Sequence, residues 1–133
     1  MTNHELSKAL WEEALRIQRR DVSATWEDND FNLCIRRSQE VVELALKAAL
    51  RFLGADYPKH HDVGRLFVEV CRQKNLTVLR EDLALVIRVS SELAEKRGLA
   101  YYAEETYNRA DAQQAMEDAE SVVKILAAIL KFT

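Results

Sequence analysis

The residues best placed for chemistry lie on one helical strip: Arg36, Glu40, Glu43, Lys47 and Arg51. At helical spacing these five fall within a sector of about 80°. Two cations one turn apart, with a further Arg at the far end, suit a phosphate or a nucleotide. The same spacing also reads as a ladder of pairs four residues apart, Arg36 with Glu40 and Glu43 with Lys47, each stabilising a helix by about 0.2–0.5 kcal/mol. Three histidines are present, His4, His60 and His61, and His61 is the one that a folded-back loop would bring to Lys47 or Arg51. A histidine at a helix start caps or packs more often than it catalyses. Asp21 interrupts an apolar stripe, so burial there requires a cation, and Lys47 or Arg36 on the adjacent helix is the expected partner. Tyr101, Tyr102 and Tyr107 offer aromatic faces that could stack on a base, or pack a loop against the protein. Arg16, Arg19 and Arg20 with Arg36 and Arg37 form two basic clusters, diluted by Glu12, Glu13, Glu27 and Asp28 into what reads as a solvated face.

Several chemistries are missing. No Gly-rich phosphate loop, dinucleotide fingerprint, serine elbow or zinc-type ligand spacing occurs. Cys34 and Cys71 sit in apolar helical contexts and read as small core residues in a reducing compartment. No metal and no cofactor is implied.

Composition fixes the kind of scaffold. The chain has 133 residues, 48% of them hydrophobic and 31% charged, which suits one soluble domain spanning 1–133 with a core of its own. Three Gly and one Pro leave little turn punctuation, and that favours long helices. A net charge of −3 supplies no global attraction to nucleic acid. No apolar run reaches the length of about 20 residues that a membrane span needs, and MTNHELSKALWEE holds no apolar signal-peptide core, so a cytoplasmic location is expected.

Hydrophobic periodicity predicts an all-α fold, an up-and-down bundle of four to five helices. The first helix covers about 5–26, with Leu6, Leu10, Ala14, Ile17 and Ala24 inward. A polar turn follows, and Asp30 caps a second helix over about 31–53. Cys34, Ser38, Val41, Ala45, Ala48, Ala49 and Phe52 line one face of that helix, with Leu44, Leu46 and Leu50 flanking the charged strip, so it reads as the central helix. Gly54 is its stop. Asp62 caps a short helix to about residue 74. A fourth spans about 79–96, with Leu79, Leu83, Val86, Ile87, Ser90 and Leu93 inward, and Gly98 ends it. The segment 99–110 reads as irregular, and Asp111 with Gln114 starts the last helix in a capping-box pattern.

Ser38-Gln39-Glu40, Ala45-Leu46-Lys47-Ala48-Ala49-Leu50, Gly54, Tyr57-Pro58 and His61-Asp62 resemble the signature of the HEPN domain family. In that family an amphipathic helix carrying a Glu and a Lys-Ala pair ends at a Gly, followed by a Pro-containing loop and a His. Leu93, Arg97 and Tyr101 resemble a later Leu…Arg-Tyr segment, loosened here by Gly98-Leu99-Ala100, and Asp21 resembles an acidic residue of the first helix. The resemblance implies a homodimer of helical bundles, often working beside a minimal nucleotidyltransferase or binding a nucleotide. It also admits metal-independent ribonuclease toxins, which use an Arg followed after four to six residues by a His.

That ribonuclease motif is absent. No His follows His61, and after Arg109 the position where one would fall is Gln114, which cannot shuttle a proton near neutral pH. The expectation is therefore a binding or interaction module rather than an enzyme, with Asp21, Arg36, Glu40, Lys47, His61 and Arg97 as candidate ligand-binding residues. A divergent ribonuclease toxin and a structural oligomer without ligand remain as alternatives.

Overall fold

A computed structural model describes residues 1–131. The chain begins with α1 (Asn3–Arg16), whose first turn is capped by the Thr2 side chain accepting from Glu5 N. A π-helical segment, Ile17–Val22, continues it without a break into α2 (Ser23–Glu27), so the first rod is one continuous helix. The π turn has a clear cause. Ser7, Ala14, Ile17, Val22 and Thr25 are the buried residues of the rod, and the step from Ile17 to Val22 is five residues rather than four. Widening one turn moves Asp21 off the buried face and puts Val22 onto it. The carbonyls of Asp21 and Val22 accept from Thr25 Oγ1 at 3.0 and 2.9 Å. Ala24, expected inward, is exposed for the same reason.

Helix α3 (Phe31–Phe52) is capped by Asp30, whose side chain accepts from Leu33 N, and it ends where Gly54 adopts φ +76°. It is the central helix, packed against α1, the π segment, α5 and α6. Ile35, Leu46 and Leu50 on α3 are fully buried together with Phe67, Leu93 and Leu126. On its other side Ser7 Oγ donates to the Ala48 carbonyl at 2.7 Å, a close approach that Ala45, Ala48 and Ala49 permit.

Three boundaries differ from the sequence expectation. Helix α4 (Gly64–Gln73) starts after Val63, while Asp62 Oδ1 accepts from both Gly64 N (3.3 Å) and Ser90 Oγ (2.6 Å). A Cβ on Gly64 would meet Ser90 Cβ at 2.7 Å, so glycine is what lets α4 dock on α5. Helix α5 (Arg80–Tyr101) runs straight through Gly98, which here is an ordinary helical residue. Leu79 lies just outside α5 in extended conformation and is 62% exposed, not inward. Helix α6 (Arg109–Ala127) begins with a capping box one turn earlier than expected: Asn108 Oδ1 accepts from Asp111 N, and Asp111 Oδ2 accepts from Asn108 N. Asp111 is thus the third residue of the helix and not its cap. Among the described residues there is no strand, and no helix is long and apolar enough to cross a membrane. The expected all-α bundle is what the chain forms.

Candidate functional site

The polar strip of α3 faces the C-terminal half of α5 and the connection 53–63. Its pairing differs from a simple ladder. Glu40 accepts not from Arg36 but from Arg37 at 2.6 Å and from Arg97 of α5 at 3.2 Å. Arg36 instead stands over the ring of Tyr101, 4.8 Å from its centroid, and among the described residues it forms no ion pair. Lys47 does pair with Glu43, at 2.7 Å, as the four-residue spacing predicts. Both side chains are largely buried, with Glu43 only 15% exposed. The loop folds back on the helix: His61 Nδ1 lies 2.7 Å from Glu43 Oε1. Tyr57 in the same loop lies under Lys47 and Arg51, while Arg51 also pairs with Asp56 at 2.5 Å.

Glu43 is the electrostatic hinge of this cluster. Burial alone would raise its carboxyl, but hydrogen bonds from Lys47, Gln39 and His61 outweigh that and hold it below the usual carboxylate value. A charged Glu43 accepts from His61 Nδ1–H, so Nε2 is the nitrogen of the ring left for another partner. Gln39, 1% exposed, completes the network. Its Oε1 accepts from Arg97 Nη1 at 3.0 Å, and its Nε2 donates to Glu43 Oε1 at 3.1 Å and to the His61 carbonyl at 3.3 Å.

Arg97 makes its described hydrogen bonds through Nη1 alone, to Gln39 and Glu40. The remaining edge of the guanidinium is open. It borders a cleft of about 460 Å³ lined by His61, Ala94, Arg97, Gly98, Tyr101 and Tyr102. Ala94 and Gly98, four residues apart on α5, present almost no side chain and so leave the floor of the cleft open. Of the two roles the tyrosines could take, packing does not hold for Tyr101 and Tyr102, which stand 58% and 71% exposed and meet each other edge to face at 4.9 Å. Of the three, Tyr107 packs against the core.

Of the six residues singled out from sequence, five surround this cleft or the network behind it: Arg36, Glu40, Lys47, His61 and Arg97. Asp21 does not join them. It pairs with its neighbour Arg20 at 2.7 Å, and that hydrogen bond holds its carboxyl below the usual range. The expected bond to Lys47 or Arg36 fails because the π turn carries Asp21 toward solvent, where an adjacent Arg suffices. Gln39 was missed. It lies in phase with Ile35, Val42 and Leu46, all buried, and a glutamine on such a stripe has to find partners.

Elsewhere the reactive groups are occupied or quiet. Arg109 stacks on Trp26 at 4.2 Å, and Gln114 donates to Asp118. Burial pushes the Cys71 thiol up to about 11 and raises that of Cys34. Among the described residues no group of three or more His, Cys, Asp or Glu side chains is placed to hold a metal ion.

Neither the curated proteins nor the solved structures contain a match to this chain. The family model of the HEPN domain does match, over residues 7–129, nearly the whole length. The pattern first visible between Glu40 and His61 thus extends through the entire bundle, and the chain belongs to the HEPN domain family.

Proposed function

We propose that this HEPN domain is a binding module whose ligand is a nucleotide held in the cleft between α5 and the 53–63 connection. The observation that carries the reading is the open edge of Arg97 in a cleft that also holds His61 and the exposed pair Tyr101 and Tyr102. A guanidinium fixed through one nitrogen and free at the others is suited to two parallel hydrogen bonds to a phosphate. The tyrosines supply a stacking face, worth about 1–3 kcal/mol per base in other single-strand binders. Arg36 behind Tyr101 makes that ring's surroundings more positive. The size of the cleft falls within the range of about 300–1,000 Å³ usual for small-molecule sites. Lys47, by contrast, is committed to Glu43 and Tyr57, and it supports the site from behind.

With this reading goes the arrangement the family implies: a homodimer that docks a minimal nucleotidyltransferase, with the chemistry belonging to the partner. Thermal unfolding of the purified protein with ATP, GTP, other nucleotides and short single-stranded RNA tests it. A ligand at 100 times its dissociation constant adds about 2.7 kcal/mol, a rise of several degrees for a domain of this size. The rise should appear with a nucleotide and vanish in Arg97→Ala. A flat response across the panel would remove the nucleotide and leave a protein-docking module.

One observation favours a second reading. His61, with Nδ1 held by Glu43, leaves Nε2 for proton transfer, and both His61 and Arg97 line the same cleft. A divergent ribonuclease would use that pair. Cleavage of single-stranded RNA by the purified protein, lost in His61→Ala, is its expected mark; intact RNA after prolonged incubation rejects it.

A further inference from the structure

We propose that Gln39 is the positioning residue of the cleft: its buried amide holds the Arg97 guanidinium at one end and the His61–Glu43 pair at the other, so that both reach a ligand in one fixed arrangement. The inference rests on the reading of the cleft as a binding site, and it assigns a role to a side chain that lines no part of the cleft wall.

The chemistry of the three neighbours leaves little choice of residue. A guanidinium only donates, whereas a carboxylate and a backbone carbonyl only accept. Whatever lies between Arg97 on one side and Glu43 with the His61 carbonyl on the other must accept at one end and donate twice at the other. A primary amide does this, and on α3 the glutamine side chain spans from Arg97 Nη1 (3.0 Å) to Glu43 Oε1 (3.1 Å) and the His61 carbonyl (3.3 Å). A glutamate could hold Arg97 but would set a second carboxylate against Glu43. An apolar side chain would hold neither. At 1% exposure the amide is shielded from competing water, so each of these bonds counts for more than at the surface. Because Gln39 occupies Nη1, the edge of Arg97 turned toward the cleft stays free for a ligand.

The test combines binding with a readout that needs no ligand. Gln39→Met keeps the length and burial of the side chain and removes all three bonds. By calorimetry with ATP as probe, Gln39→Met should weaken binding about tenfold, the size expected for hydrogen bonds to charged groups. In an Arg97→Ala background the same change should cost clearly less than in the wild type, because the part of its effect that runs through Arg97 is already gone and only the His61–Glu43 end remains to be lost. Losses that simply add would mean a structural role only and would overturn the proposal. In the absence of ATP, the Arg97 guanidinium protons should exchange slowly by NMR in the wild type and fast in Gln39→Met. Unchanged exchange overturns the proposal whatever ATP does. A wild type that ignores ATP yet loses this protection in Gln39→Met sinks the nucleotide reading and upholds the positioning role. Gln39→Glu is the second variant should Gln39→Met fail to fold. It should keep the Arg97 protons protected while shifting the His61 imidazole signals, and loss of the Arg97 protection there would count against the assignment.

Discussion

The two sides of α3 are built by opposite means. Toward α1 and α6 the contact is made by small or apolar residues, Cys34, Ala45, Ala48 and Ala49 among them, all at 0% exposure. The one described side-chain hydrogen bond between α1 and α3 in the interior joins Ser7 to the Ala48 carbonyl. Toward α5 and the 53–63 connection the apolar contact is edged by a chain of polar bonds, from Arg37 through Glu40, Arg97, Gln39 and Glu43 to His61 and Lys47. The first kind of contact gains its stability from area removed from water and needs no particular chemistry. The second gains little net stability, since each charge gives up hydration to enter it. What it supplies is fixed geometry at the edge of an open cleft. One helix, turned about its axis, provides both.

The contrast predicts different responses to damage. The largest effect belongs to apolar burial rather than to the polar chain: Leu50→Ala, at a fully buried position, should destabilise the domain by about 2–5 kcal/mol in denaturant unfolding. A loss below about 1 kcal/mol there would mean that the apolar contact is not what holds the bundle.

The polar side should show itself through acid. Glu43 lies below its ordinary value in the folded state, so the unfolded chain takes up the proton first as pH falls. Its contribution is therefore complete above the ordinary value of 4.5 and disappears as pH drops through the lower folded value. Unfolding midpoints measured across that range should decline with acid, and Glu43→Gln should flatten the decline. An identical slope in the variant would show that the network does not report on folding.

The smallest effect is expected at Gly98. Nothing lies within 4 Å of where its Cβ would stand, and its backbone is helical. Gly98→Ala should stabilise α5 by up to about 1 kcal/mol while adding a methyl group to the cleft floor. Higher thermal stability with weaker ligand binding would separate the two sides of the comparison in a single variant. A loss of stability would mean that the chain needs glycine there for another reason.

Much of this architecture is visible in the amino-acid order because its causes are local. The 3.6-residue period, Asp30 as a cap, Gly54 as a stop and the apolar circumference of α3 depend on neighbours within a turn or two, and each stands where the spacing puts it. The Glu43–Lys47 pair is of the same kind. Asp21 and Gly98 mark where local reading fails. A five-residue turn that trades Asp21 for Val22 depends on what α3 and its neighbours bury. Helix α5 passes through Gly98 because packing along its length outweighs one weak helix former.

The cleft lies further still from what spacing alone reveals. Arg97 reaches Glu40 and Gln39 across more than fifty residues of sequence, and His61 reaches Glu43 across eighteen. The sequence by itself determined the helices, the centrality of α3 and which residues carry charge on its strip, since these follow from side-chain type and helical period. Only the tertiary structure decided which charges meet, that Arg97 bonds through Nη1 alone among the described residues, that Tyr101 and Tyr102 stand open, and that Gln39 bonds to Arg97, Glu43 and the His61 carbonyl. Pairing between distant segments depends on how helices are set against one another, and that is the outcome of burying the whole apolar surface at once.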